Sequence, residues 1–167
     1  MATSTSSRTS IFGNDQDTVT LTTEIVDDGQ DTVTTTTLTF DNDNGQDTVT
    51  LTFDGPVEFF NQDNILANLA DPDFITNLAN IEAEADQYLA SNGDLIDAFG
   101  DLNYEQALDA ATIHYIDFGF TEGRGLDNFN EAQYLNSFPD LIAAFGNDLD
   151  AATQHYIQFG FEEGRVF

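Results

Sequence analysis

The chain has 167 residues with 31 acidic side chains, three arginines and no lysine, so its formal net charge is −28 at pH 7. This charge argues against nucleic-acid partners and against anionic lipid surfaces, because both are bound through clusters of lysine and arginine. The hydrophobic content of 40%, with fifteen phenylalanines, is too high for a disordered acidic tail and allows a folded core.

The chain contains no cysteine, which excludes disulfides and thiolate metal sites. The first eight residues, MATSTSSR, lack the apolar core of a secretory signal, and no apolar stretch is long enough for a membrane span. A large negative charge is best tolerated where salt or divalent cations screen it. We therefore expect a secreted or cell-surface protein without a recognisable N-terminal signal peptide.

Residues 1–12 form the first segment, and two interpretations of it stay open. The segment is either a flexible terminus or a strand donated to a neighbouring molecule. The second interpretation depends on the apolar pair Ile11 and Phe12, which ends the segment and would make the assembly contact.

Residues 13–60 predict an antiparallel β-meander of three strands. The pentapeptide QDTVT occurs three times, from Gln16, Gln30 and Gln46, and apolar residues alternate with threonines. Asp-Gly, Asn-Gly and Asp-Gly-Pro sequences mark the strand ends. The second strand is interrupted by the threonines of 34–37, which predicts a bulge near Thr36.

The turns of this meander are acidic, and antiparallel order would gather five aspartates at one end of the sheet. Carboxylates at this density suit Ca²⁺, although aspartate, asparagine and glycine also occur in turns for purely conformational reasons. The stretch 41–52 is not an EF-hand, because its glycine comes one position early and its twelfth residue is Thr52. The calcium candidates are Asp15, Asp17, Asp41, Asp43 and Asp47.

The remainder of the chain predicts helices in repeated units. Residues 61–86 are expected to be connecting helices with the character of a degenerate repeat, and two full repeats follow at 87–125 and 126–167. Segments 109–124 and 150–165 share 13 of 16 residues. Each repeat predicts a helical hairpin.

Two details of the hairpins follow from their sequences. The first repeat has five extra residues around Asn103–Ala107, expected in the connection between its helices. In the second repeat Pro139 and Gly146 bound the first helix, and Asp150 is the predicted N-cap of the next.

The pattern YLAS..DLI.AFG, followed by AA..HYI.FGF.EGR, resembles the helical repeats of large secreted or surface proteins of bacteria, cyanobacteria among them. Such proteins often also carry haemolysin-type calcium-binding repeats. The resemblance covers roughly residues 87–167 and implies an extracellular, modular and non-catalytic role. It supplies no ligand or active site, and no family is recognised for the N-terminal half.

His114 and His155 occupy equivalent repeat positions, as do Arg124 and Arg165. A catalytic group is rarely duplicated within a structural repeat, so we expect the histidines to pack with one ring nitrogen hydrogen-bonded, with metal ligation as the alternative. We expect each arginine to tie the end of its repeat to nearby carboxylates, with anion binding as the alternative.

The predicted fold class is α+β, an N-terminal antiparallel meander followed by tandem helical hairpins. The chain has neither a nucleophile motif nor a phosphate-binding glycine loop, so we predict no catalytic residues and no enzyme. We expect a structural subunit of an extracellular filament or surface assembly that associates with itself by β-strand addition. The alternatives are a secreted calcium-dependent binding or adhesion module and a decoration protein of a phage particle.

Overall fold

A computed structural model describes residues 4–13, 18–27, 32–42, 45–52, 62–68, 71–81 and 83–165. The predicted fold class, a three-stranded meander at 13–60 followed by helical hairpins, is wrong. Helical segments outnumber strands ten to four among these residues, so the described part of the chain is mostly helical. Its strands are four rather than three, and each repeat contains three helices rather than two.

The four strands are hydrogen-bonded in sequence order and antiparallel. The segment predicted to be flexible or donated to a neighbour forms the first strand and pairs with the second strand of its own chain. The strands are β1 (Ser4–Gly13), β2 (Thr18–Asp27), β3 (Thr32–Asn42) and β4 (Gly45–Thr52).

The register of β2 against β3 is continuous along the whole ladder. Leu21 pairs with Leu38 and Val26 pairs with Val33, with no extra residue between these two pairs. The predicted bulge near Thr36 is therefore wrong. Threonine is β-branched and favours an extended backbone, so the strand continues through this threonine-rich stretch without a bulge.

The helices divide between two compact units, with Met1–Glu82 and Ile113–Gly123 in the first, and Ala83–Thr112 and Arg124–Phe167 in the second. The end of the first predicted repeat thus belongs to the unit of the sheet. Before that repeat lie α1 (Gln62–Asn68) and α2 (Pro72–Ile81). The first repeat contains α3 (Ala85–Ser91), α4 (Gly93–Phe99) and α5 (Tyr104–His114); the second contains α6 (Glu131–Ser137), α7 (Pro139–Phe145) and α8 (Leu149–His155).

The last helix of each repeat ends in one turn of π-helix, π1 (Tyr115–Gly119) after α5 and π2 (Tyr156–Gly160) after α8. Its defining bond spans five residues, as in the bond that the Phe161 amide donates to the Tyr156 carbonyl at 2.9 Å. The equivalent bond in the first repeat is 3.1 Å long. A left-handed glycine follows in both repeats, Gly123 at φ 69° and Gly164 at φ 64°.

Local sequence sets the helix ends of the second repeat. Pro139 occupies the first turn of α7, and Gly146 closes that helix at φ 67°, as predicted from their types. The N-cap of α8 is Asp148, whose side chain accepts a hydrogen bond from the Ala151 amide at 3.0 Å. The prediction of Asp150 as the cap is therefore wrong by two residues.

The five extra residues of the first repeat lengthen a helix. α5 has 11 residues where α8 has 7, and Leu108 aligns with Leu149, the first residue of α8. Most of the insertion is therefore one more helical turn at the start of α5. The prediction that it lies in the connection between helices is wrong, because the inserted sequence Tyr-Glu-Gln-Ala is compatible with helix.

Each unit has its own apolar core. In the first unit the ring centroids of Phe74 and Phe120 lie 4.9 Å apart, and Asn77 donates a 2.7 Å hydrogen bond to the buried Tyr115 hydroxyl. In the second unit Phe129 stacks on Tyr156 with centroids 4.6 Å apart. Other buried side chains of the second unit are Tyr88, Leu89, Leu95, Ala111, Tyr134, Leu141 and Ile157.

Candidate functional site

The predicted calcium residues fall largely outside the described part of the chain. Asp15, Asp17 and Asp43 lie outside the described residues. The backbone positions of the other two are at one end of the β3–β4 ladder, where Asp41 pairs with Gln46 and Asp47 pairs with Phe40. Among the described residues no group of three histidine or acidic side chains is arranged to hold a metal ion. Calcium binding by these turns stays a prediction.

The predicted assembly residues lie at the end of β1. Ile11 is 69% exposed, and its backbone pairs with Thr20; Phe12 pairs with Val19. Within the described sheet, β1 and β4 each pair with a single strand, so they are its two edges. An exposed isoleucine on an edge strand is a feature that proteins usually avoid, because it favours pairing with another chain.

Threonines form rows that cross the sheet. The register aligns Thr9 of β1 with Thr22, Thr37 and Thr50 of the following strands. The hydroxyls of Thr9 and Thr22 lie 3.3 Å apart and form a cross-strand hydrogen bond. Sequence reasoning missed this row because it did not assign a strand to β1, although threonine at alternate positions after each QDTVT copy was the available signal.

In each repeat the arginine of the final Glu-Gly-Arg pairs with the aspartate at the start of the second helix. Arg124 donates two hydrogen bonds to the Asp94 carboxylate, at 2.8 and 2.9 Å. Arg165 donates one to Asp140 at 2.9 Å and a second to Glu163. Asp94 and Asp140 are equivalent in the repeat alignment, so the same clamp occurs twice.

One further contact of each arginine differs between the repeats. Arg124 also donates to Oδ1 of Asn92 at 3.2 Å. The equivalent residue of the second repeat is Phe138, and the Arg165 guanidinium lies 4.9 Å from the centre of its ring. A hydrogen bond in one repeat is thus replaced by a cation–π contact in the other. The hydrogen bond from Arg165 lowers the pKa of Asp140, and desolvation opposes this only in part.

The two histidines have equivalent aromatic neighbours. The His114 ring lies 5.7 Å from that of Phe118, and the His155 ring lies 5.7 Å from that of Phe159. Nδ1 of His155 also lies 2.9 Å from the hydroxyl of the buried Tyr134. Burial first, and the positive charge of Arg165 second, lower the pKa of His155. These forces favour the neutral imidazole.

One face of the second unit is acidic and partly buried. Burial raises the pKa of Asp86, and the charges of Asp150 and Glu131 raise it further, while a hydrogen bond from the Gln87 amide opposes them. Burial, with the charge of Asp86, also raises the pKa of Tyr104. Carboxylates therefore repel one another here, and the arrangement gives Asp86 a higher proton affinity than an isolated aspartate has.

No protein-family model matches the chain, and searches of curated proteins and of solved structures likewise find no match. Of the helices that the structure describes, none combines the length and apolar character needed to cross a membrane.

Proposed function

We propose that this chain is a non-catalytic structural subunit of an extracellular filament or surface assembly, and that it associates with itself by β-strand addition. The observation that supports the proposal is the pair of sheet edges, β1 and β4, each of which has one partner strand in the described sheet. The exposed Ile11 on β1 adds apolar surface at one of these edges.

The strand directions allow the sheet to be extended by adding β1 of one copy to β4 of another. Neighbouring strands alternate, so β4 of one copy runs antiparallel to β1 of the next when the sheet is extended by repetition. Such an addition would align Thr50 of one copy with Thr9 of the next and continue the threonine row. An interface between two different edges leaves an edge free on each copy after one contact, and repetition of the contact without ring closure builds a filament.

The net charge of −28 opposes association, so the ionic surroundings decide whether copies meet. Salt shortens the range of this repulsion. Calcium bound by the acidic turns would neutralise charge at one end of the sheet, which keeps the calcium-dependent adhesion module as the second candidate. If the chain bound a foreign surface specifically and did not associate with itself, that result would favour the adhesion module or the phage decoration protein over the filament subunit.

A pair of matched substitutions tests strand addition. Ile11→Lys places a charge on the edge strand, whereas Ile25→Lys makes the same change on the interior strand β2, where Ile25 is 37% exposed. We expect filaments of the wild type and of Ile25→Lys in electron micrographs at high salt, and none for Ile11→Lys. Monomers of the wild type in every condition, or filaments of Ile11→Lys equal to the wild type, would refute the proposal.

Calcium is tested separately by calorimetric titration. We expect heat of binding at millimolar Ca²⁺ that disappears when Asp15, Asp17 and Asp43 are replaced by asparagine. The control variant replaces three exposed aspartates of the helical part of the chain by asparagine, and therefore makes the same change in charge. These are Asp73, Asp97 and Asp101. Absence of any binding heat in the wild type would remove calcium from the proposed function and leave strand addition standing.

A further inference from the structure

The second repeat covers the first two helices of the repeat that precedes it. The side-chain amide of Gln87 on α3 donates to the Thr153 hydroxyl on α8 at 3.2 Å. The Phe161 ring packs so closely on Gly93 of α4 that its carbons lie 2.7 and 3.0 Å from the position a Cβ would take. The helix α8, with π2 and the residue after it, is therefore the element that docks on α3 and α4.

A further contact fixes the same junction. The hydroxyl of Ser91, at the end of α3, accepts hydrogen bonds from the backbone amides of Asn128 and Phe129 at 2.8 and 2.9 Å. These amides belong to the start of the second repeat, just before α6. Three positions of the first repeat, Gln87, Ser91 and Gly93, thus receive the second.

The equivalent surface of the second repeat has no such cover among the described residues. Gln133 and Ser137, which align with Gln87 and Ser91, are exposed, whereas Gln87 and Ser91 are half-buried. Ile142 is 40% exposed, and its equivalent Ile96 is 3% exposed. We call the surface of α6 and α7 formed by Gln133, Asn136, Ser137 and Ile142 the open face.

The open face retains the residue types of a docking surface. A repeat face on which nothing packs is normally polar. Here the glutamine, the serine and the isoleucine are kept in the positions that they occupy in the covered repeat. The leucine beneath them is kept as well, and Leu141 is as buried as Leu95, at 3% exposure for each.

We propose that the open face docks a helix of the α8–π2 type, presented by a polypeptide segment that carries this repeat. The partner would place a threonine hydroxyl against Gln133, as Thr153 lies against Gln87, and an aromatic ring against α7, as Phe161 lies against α4. Its own Ala-Ala pair would allow close approach of the helices; the equivalent Ala152 is fully buried in this chain.

Two residues of the open repeat differ from their equivalents in the covered repeat, and both differences weaken the proposed docking. Asn136 takes the place of Ala90, which is 5% exposed, so its amide would have to be desolvated. Pro139 takes the place of Gly93, so a docked ring has to lie farther from the backbone. Both changes make the contact weaker than the one inside the chain. The proposal is independent of strand addition, which involves a different part of the molecule.

The test uses the full chain and a synthetic peptide of residues 148–165, which contains α8, π2 and the closing Glu-Gly-Arg. At high salt, to screen the acidic charges, we expect the peptide to shift the amide resonances of Gln133, Ser137 and Ile142. A peptide with Phe161→Ala should produce much smaller shifts. Asn136→Ala in the chain should tighten binding by about threefold, a change of less than 1.4 kcal/mol.

Ile142→Glu should weaken peptide binding by about tenfold or more. The matched control is Leu102→Glu, since Leu102 is 43% exposed in the same unit but does not belong to the open face. Both residues are exposed, so both variants should fold, which far-UV circular dichroism checks. Absence of shifts at millimolar peptide, or equal affinity for Ile142→Glu and the wild type, would overturn the proposal.

Discussion

The hydroxyl of Tyr134 and Nδ1 of His155 lie 2.9 Å apart, and they join the first and last helices of the second repeat. Tyr134 is fully buried, and burial raises its pKa to about 12, so the phenol stays protonated and can donate a hydrogen bond to Nδ1 of the neutral imidazole. The hydrogen-bonded ring nitrogen expected from the sequence is therefore present at His155.

A double-mutant cycle measures this contact. Tyr134→Phe removes the hydroxyl and keeps the ring, and His155→Phe removes the ring nitrogen and keeps an aromatic side chain. We expect the two losses in unfolding free energy to be non-additive by about 1 kcal/mol, the usual contribution of a hydrogen bond. Additive losses in urea unfolding would show that the contact contributes nothing beyond packing.

The pH dependence of His155 has a defined sign. Its pKa is lowered in the folded chain from the ordinary value of 6.5, so the unfolded chain binds the proton more readily. The stabilisation by neutral His155 is therefore complete above pH 6.5 and is lost as the pH falls toward the folded pKa. We expect the stability difference between the wild type and His155→Phe to change over this range. An identical pH profile for both proteins would contradict the assignment.

A side chain at Gly160 is predicted to destabilise the fold, because the ring of Tyr134 occupies the space that it would need. A Cβ at this position would lie 3.0 Å from Cζ of Tyr134 and closer still to its hydroxyl. Gly160→Ala should therefore reduce the unfolding free energy by about 1–3 kcal/mol, as overpacking does in other cores. The same substitution in a Tyr134→Phe background should cost less, because the closest atom is gone. Thermal unfolding of the four proteins measures this, and an undiminished cost would exclude the hydroxyl as the cause.

The hydrogen bond from Arg165 to Asp140 can be tested by measuring the pKa of Asp140. Arg165→Gln should bring the pKa of Asp140 up toward its ordinary value of 3.8, since the hydrogen bond from Arg165 is the main cause of its lowering. The measurement is the pH dependence of the Asp140 carboxyl carbon by NMR. Arg124→Gln is the matched control, because Arg124 is bonded to Asp94 and should leave the Asp140 titration unchanged.

Self-association is expected to depend on ionic conditions. Light scattering should rise with added salt and fall in chelator at low ionic strength, because copies of the same negative charge repel one another. Partial protonation of carboxylates near about pH 4–5 should also promote association. Scattering that responds to none of these conditions would argue that charge does not control assembly.

The repeats were the part of the fold that the sequence predicted best. Identical residues at equal spacing placed the clamp arginines and the histidines in matching positions, and Pro139 and Gly146 bound a helix as their types suggest. The sequence did not reveal that each repeat has three helices. α3, α4, α6 and α7 have seven residues each, two turns, which is too short for a clear 3.6-residue periodicity.

The errors in the first half have a different origin. β1 has no copy of QDTVT and only one apolar pair, Ile11 and Phe12, so neither repetition nor alternation identified it as a strand. The bulge was inferred from a stretch poor in apolar residues, yet register is set by the whole ladder and not by one stretch. The open face could not be found from the sequence, because Gln133 and Ile142 are unremarkable until their covered equivalents are compared.

The π-helical turn of each repeat sets the direction in which the following phenylalanine points from the helix axis, and a change in loop length elsewhere does not compensate for its loss. Each π turn contains one residue more than an α-helical turn and ends at Gly119 or Gly160, directly before Phe120 or Phe161. An α-helix advances about 100° per residue, so losing one residue here would swing that phenylalanine by more than a quarter turn away from its neighbouring helix. The repeats differ by five residues at the start of α5, yet they are equal in length from His114 and His155 to the closing arginine. Length can therefore vary at the start of the third helix, whereas at its end the residue count determines which way the aromatic side chain faces.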